Sequence, residues 1–189
     1  MSPPGRPVLT TADAWVEAGL AEIDAVGVDG LSVQAVARRL GVSKGGFYHQ
    51  FADRQELLVA VLGLWEQRYV TDFGAQAMAI TDPSERIHAV LVRAVVELRP
   101  TVLVRLIAAA EEPVVAAVLE RAARARVEML ERTFVELGCD SATARRRAVL
   151  GYATFLGFAR IAVQLPEEFA SEDSLARYAA EFEHLVLGP

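Results

Sequence analysis

Apolar positions fall into helical registers almost from the start of the chain. Val16, Gly19, Leu20, Ile23 and Val26 recur three and four residues apart, the spacing of one buried helix face. A helix is therefore expected from Thr10 or Thr11 to Gly27. Ser32 sits where an N-cap belongs, and Val33, Val36, Ala37 and Leu40 repeat the spacing. Gly41 follows, suited to the left-handed position that closes a helix. Ser43 is a second N-cap, opening a short helix from Lys44 to about Gln50. Asp53 and Glu56 form a capping box. The long helix they open carries Leu58, Val61, Leu62, Trp65, Tyr69 and Phe73.

Beyond Thr81-Asp82-Pro83 the helical spacing resumes. Helices are expected from Ser84 to about Arg99, Thr101 to Glu111, Val114 to Leu137, Ser141 to Leu165, and Ser171 or Asp173 to Leu187. Pro100, Pro113, Gly138 and Pro166 mark the breaks. No segment alternates with period two, so the chain reads as all-α, about nine helices and no sheet. Residues 1–54 read as a proline-rich arm and a three-helix head, and residues 55–189 as a helical body. Two short helices joined by a glycine-containing turn, after a supporting first helix, make a helix-turn-helix pattern.

Charge sharpens that reading. The chain of 189 residues carries 19 basic against 25 acidic side chains, net −6. That excludes a generally basic coat for nucleic acid but not a local basic patch. Over residues 31–54 the basic residues are Arg38, Arg39, Lys44 and Arg54 and the acid is Asp53, a balance of +3. Residues 55–189 hold 14 basic and 19 acidic, net −5. Positive charge is thus concentrated where a duplex would lie, as phosphate neutralisation requires. Lys44 is the one lysine beside 18 arginines.

Other chemistry is thin. Cys139 is the single cysteine, so no disulfide forms within the chain and a cysteine zinc site is not expected. The chain has no asparagine, which removes N-glycosylation and any Asn–adenine contact. His88 and His184 are isolated, and the adjacent pairs Glu111-Glu112 and Glu167-Glu168 diverge on a helix. No metal and no cofactor is expected. The N-terminal residues lack the apolar run of a signal peptide. Ala148 to Ala159, 12 residues, is short of the about 18 needed to span a bilayer. A cytoplasmic location is expected. Gly41-Val42-Ser43-Lys44-Gly45 matches the Gly-x-Ser-x-Gly elbow of serine hydrolases, but that elbow needs a preceding strand, and the pattern here is helical. The chain is not read as an enzyme.

The segment Leu31 to Arg54 resembles the TetR-type family of transcriptional regulators. It has the Leu31-Ser32 start, Ala37-x-x-x-Gly41-Val42-Ser43, then Gly45-x-Phe47-Tyr48-x-x-Phe51 and a basic residue, Arg54, three positions on. The close likeness covers about residues 10–60. The resemblance implies a head that binds DNA and a body that binds an effector and dimerises. It implies that Ser32, Ser43, Tyr48, His49 and Arg54 meet phosphates, that Gln34 and Lys44 reach base edges or phosphates, and that Gly45 and Gly46 let DNA approach the backbone. Arg6 is a weaker candidate for the duplex. It further implies a homodimer on a palindromic operator, repression relieved by a small effector, and no membrane. The alternative is a helical interaction protein that has lost DNA binding.

In the body, the segment 141–165 is apolar all round, as expected of a helix buried on more than one side. The family pairs its last two helices across a twofold axis. Tyr152, Phe155, Phe158, Tyr178 and Phe182 are accordingly expected at a dimer interface. Trp65, Tyr69, Phe73 and Arg105 are expected to border an effector cavity for an apolar or aromatic ligand, with Arg93 and Arg99 as further polar anchors.

Overall fold

The computed structural model describes residues 10–96 and 101–187. Arg6 and Arg99 lie outside the described residues. The described chain folds as nine α-helices with no strand and divides into two compact units, Met1–Trp65 and Glu66–Pro189.

The first unit contains α1 (Ala12–Val26), α2 (Val33–Leu40), a 3-10 helix (Lys44–His49) and α3 (Arg54–Glu66) up to Trp65. Its caps follow from local chemistry. The Thr11 and Ser32 hydroxyls accept from the Ala14 and Ala35 amides. Gly41, at φ 68°, closes α2. The Gly41 amide donates to Arg38 O and the Val42 amide to Ala37 O, the paired bonds of a Schellman turn. At the start of α3 the Glu56 amide donates to Asp53 Oδ1 at 2.9 Å, while the Glu56 carboxylate accepts from the Ala52 amide at 2.6 Å.

Two local departures have physical causes. Lys44–His49 winds as a 3-10 helix rather than an α-helix. Gly45 and Gly46 each disfavour α-helix by about 1 kcal/mol, and six residues give too few bonds to offset that. The helix expected to run unbroken to Phe73 instead passes through a π-helical turn, Gln67–Thr71, before α4 (Asp72–Met78). The unit border falls at Trp65 rather than at residue 54 because the inward face of α3 is core. Leu57, Leu58, Val61 and Leu62 are each at most 1% exposed. α1 meets this face through Gly19, where a Cβ would stand 2.6 Å from Val61 Cγ2.

The second unit contains α4, α5 (Pro83–Val96), α6 (Thr101–Ala108), α7 (Pro113–Glu136), α8 (Ser141–Gln164) and α9 (Glu172–Leu187). α7 packs on α8, and α5 on α9. Arg86, 4% exposed, ties the unit together. Its guanidinium donates to Ile80 O at 3.0 and 2.9 Å and to the Glu136 carboxylate at 2.6 Å. Among the described residues no helix is long and apolar enough to cross a membrane.

The close approach at Gly19 yields a test. In an unpacked helix Gly19→Ala would gain up to about 1 kcal/mol. Against the stiff Val61 side chain we expect a net loss of about 1–2 kcal/mol from overpacking, read as a lower urea midpoint. The double variant Gly19→Ala/Val61→Ala should recover part of it, and an unchanged midpoint in the single variant would contradict the packing.

Candidate nucleic-acid interface and body cavity

The 3-10 helix is held by an aromatic stack. Phe47 is fully buried. It meets Trp15 of α1 edge-on at 5.3 Å and stacks on Phe51 at 5.5 Å. With Phe47 pinned, the neighbouring side chains point outward. Lys44, Tyr48 and His49 are exposed, as are Ser32, Gln34 and Arg38 on α2 and Ser43 between the two helices. The Ser43 hydroxyl makes no capping bond, unlike that of Ser32, so its donor and acceptor face outward.

Nothing inside the chain requires glycine at 45 and 46. Neither has a positive φ. A Cβ at Gly45 would meet nothing nearer than Ser43 Oγ at 3.7 Å, and one at Gly46 nothing nearer than Trp15 Cζ2 at 4.0 Å. Their bareness suits a partner that approaches the backbone from outside.

The four cations of the patch are not equivalent. The Arg39 guanidinium pairs at 2.9 Å with Glu22, whose side chain is 9% exposed, and so links α2 to α1. Arg54 turns inward. Its Nε donates to Leu31 O and its Nη2 to Val28 O, both at 2.8 Å, bracing the loop between α1 and α2. The side chain expected on a phosphate thus braces that loop. Arg38 and Lys44 are exposed and enter none of the ion pairs described. The elbow expected of a hydrolase has no strand before Ser43, where α2 stands instead.

In the second unit, five helices leave a cavity of about 40 Å³. Phe73 of α4, Val90, Leu91 and Ala94 of α5, Met129 and Leu130 of α7, Gly151, Tyr152 and Phe155 of α8, and Phe182 of α9 form its apolar wall. Arg126 of α7 is the one charged side chain described on that wall, and it is 8% exposed. Its Nη2 donates to Tyr69 O at 3.1 Å. Its guanidinium lies 5.9 Å from the centre of the Tyr152 ring and 5.7 Å from that of Phe155. Burial pulls the Arg126 pKa below its ordinary value, and Tyr152 opposes the shift. A second cleft of about 100 Å³ shares Phe73 and Val90 and includes Gln76 and Arg93. The Arg93 guanidinium lies over the Phe73 ring at 5.0 Å.

Of the residues expected around an effector, Phe73 is on this wall, and Tyr69 takes part through its carbonyl. Trp65 is buried but lines neither space, and Arg105 is exposed on α6. Of those expected between two copies, Phe155 and Phe182 are buried within the single chain, and Tyr152 lies beside them on the cavity wall. Phe158 and Tyr178 pack with Phe169, with ring centres 4.8 Å from Phe169 in both cases. Tyr178 of the expected set is nonetheless exposed, and α8 and α9 leave Val149, Leu150, Ile161, Val163 and Leu185 exposed beside it. Composition does not single out Arg126 among 18 arginines, but it occupies the stripe Val115, Val118, Ala122, Met129, Thr133 of α7, where a charge is out of pattern.

Comparison with known proteins agrees with this geometry. Residues 16–61 match the family described as bacterial regulatory proteins, tetR family. A stretch of 73 residues is 36% identical to the HTH-type transcriptional regulator BetI of Pseudomonas fluorescens, spanning 39% of this chain and 37% of that protein. The fold is similar to a transcriptional regulator from Rhodococcus sp. Rha1, with TM-score 0.79 and 21% identity over 94% of this chain and 96% of that one. It is also similar to the transcriptional regulator FadR from Bacillus subtilis, solved with stearoyl-CoA, with TM-score 0.71 and 14% identity over 93% and 97%.

The inward Arg54 gives a prediction free of DNA. Arg54→Met leaves two carbonyls without their charged donor, and we expect a loss of about 2–3 kcal/mol in urea denaturation of the protein alone. Unchanged stability would mean that the loop does not depend on this side chain.

Proposed function

Because residues 16–61 match the tetR family of bacterial regulatory proteins, we propose that the chain is a member of that family and a cytoplasmic DNA-binding transcriptional regulator rather than an enzyme. It acts as a repressor that leaves a palindromic operator when a small ligand occupies the body. The observation that carries this reading is the bare turn at Gly45 and Gly46, ringed by exposed Ser43, Lys44, Tyr48 and His49 and anchored by Phe47. A reading helix must be rigid behind and open in front, and this one is both. Gln34 and Lys44 suit base edges, where amide and ammonium groups find paired acceptors and donors. Ser43, Tyr48, His49 and Arg38 suit phosphates. A helical interaction protein would leave the unneeded glycines unexplained.

A helix-turn-helix unit reads DNA as a pair, with two recognition helices one helical turn apart. The exposed face of α8 suits the second copy. Leu150, Gly157 and Ile161 lie within about 40° of one another around the helix. A Cβ at Gly157 would meet nothing within 4 Å, yet glycine inside a helix costs about 1 kcal/mol relative to alanine. Close approach by another helix accounts for it.

Two measurements test the proposal. On an arbitrary duplex, the slope of log K against log salt should fall in magnitude by about 0.9 for Arg38→Ala, the exposed cation assigned to a phosphate. An unchanged affinity in Lys44→Ala/Tyr48→Ala would remove the assigned reading face. Sedimentation should find a dimer without DNA and a folded monomer for Gly157→Arg, whereas a wild-type monomer at micromolar concentration would contradict the assembly.

A further inference from the structure

We propose that the cavity at Arg126 binds a single-ring aromatic carboxylate, with the ring against Tyr152, Phe155 and Phe182 and the carboxylate on the Arg126 guanidinium. The charge argues for an acid. A guanidinium 8% exposed on an otherwise apolar wall sits in a low dielectric, where a charge-assisted bond to a carboxylate gains most. Its Nη2 already donates to Tyr69 O, and the rings of Tyr152 and Phe155 hold its plane. The Tyr69 carbonyl and the two rings thus orient the guanidinium before any ligand arrives, which lowers the ordering cost of binding.

The space argues for one ring. The cavity is about 40 Å³, and the cleft that shares Phe73 and Val90 with it is about 100 Å³. A single ring needs roughly the 150 Å³ that accepts a benzene, so binding requires Phe73, which lines both spaces, to turn aside and join them. The cleft is the entrance, and Arg93, lying over the Phe73 ring at 5.0 Å, is placed to meet an anion before it passes inward. A long acyl chain has no room in either space.

The ligand's role as an effector rests on the regulator reading, but its binding does not, so the two are measured apart. Calorimetry of the full chain, without DNA, would compare benzoate, benzyl alcohol and palmitoyl-CoA. Benzoate should bind about 10- to 100-fold more tightly than benzyl alcohol, as expected for a charge-assisted bond. Arg126→Met should abolish that preference while benzyl alcohol still binds. Should that variant not fold, Ala94→Leu, which fills the cavity and keeps Arg126, should lose both small ligands. Equal binding of benzoate and benzyl alcohol, benzoate binding unchanged in either variant, or binding of palmitoyl-CoA alone would overturn the proposal. Benzoate is then added to the protein on a duplex: binding without release of DNA leaves the site and overturns its effector role. A failure to bind any duplex overturns the regulator reading alone.

Discussion

The structure depends first on Phe47. A six-residue 3-10 helix with two adjacent glycines has no stability of its own, because nucleation costs more than so few bonds return. It keeps its shape because one fully buried ring, set between Trp15 and Phe51, fastens it to the head. That single anchor frees every other side chain of the turn to face outward. α1 in turn approaches α3 closely where Gly19 faces Val61.

Arginine does two kinds of work in this chain. Arg39, Arg54 and Arg86 are structural, each spanning a gap in sequence that no backbone bond closes. Arg38 stands outward, where a polyanion would meet it. Arg126 also spans such a gap, to Tyr69 O, but it is buried among aromatic rings beside a cavity. The residue type alone says nothing about these roles. What separates them is whether the nearest partners are carbonyls, solvent or aromatic faces.

Much of the head was legible because its signals are local. Ser32, Gly41, Asp53 and Glu56 act within four residues, and their caps stand where the spacing puts them. The 3-10 winding at Gly45 and Gly46 was readable in principle from the cost of two glycines. The inward turn of Arg54 was not, since its partners lie 23 and 26 residues back. In the body, α8 is apolar on several faces, so its pattern could not say which face meets the chain's own core and which another copy. The structure turns Phe155 inward and leaves Leu150 and Ile161 outward. The cavity itself is a gap between five helices and has no sequence signature beyond Arg126 standing in an apolar stripe.

On the proposed function, two copies of this head read one sequence on duplex DNA symmetrically. Selection of bound duplexes from a random pool by the full chain, followed by sequencing, tests it directly. The account predicts enrichment of one inverted repeat whose half-sites lie about one helical turn apart, roughly 10–10.5 base pairs, or a multiple of that. A pool that shows no enriched sequence after repeated rounds, or one whose enriched sequences lack twofold symmetry, would contradict it.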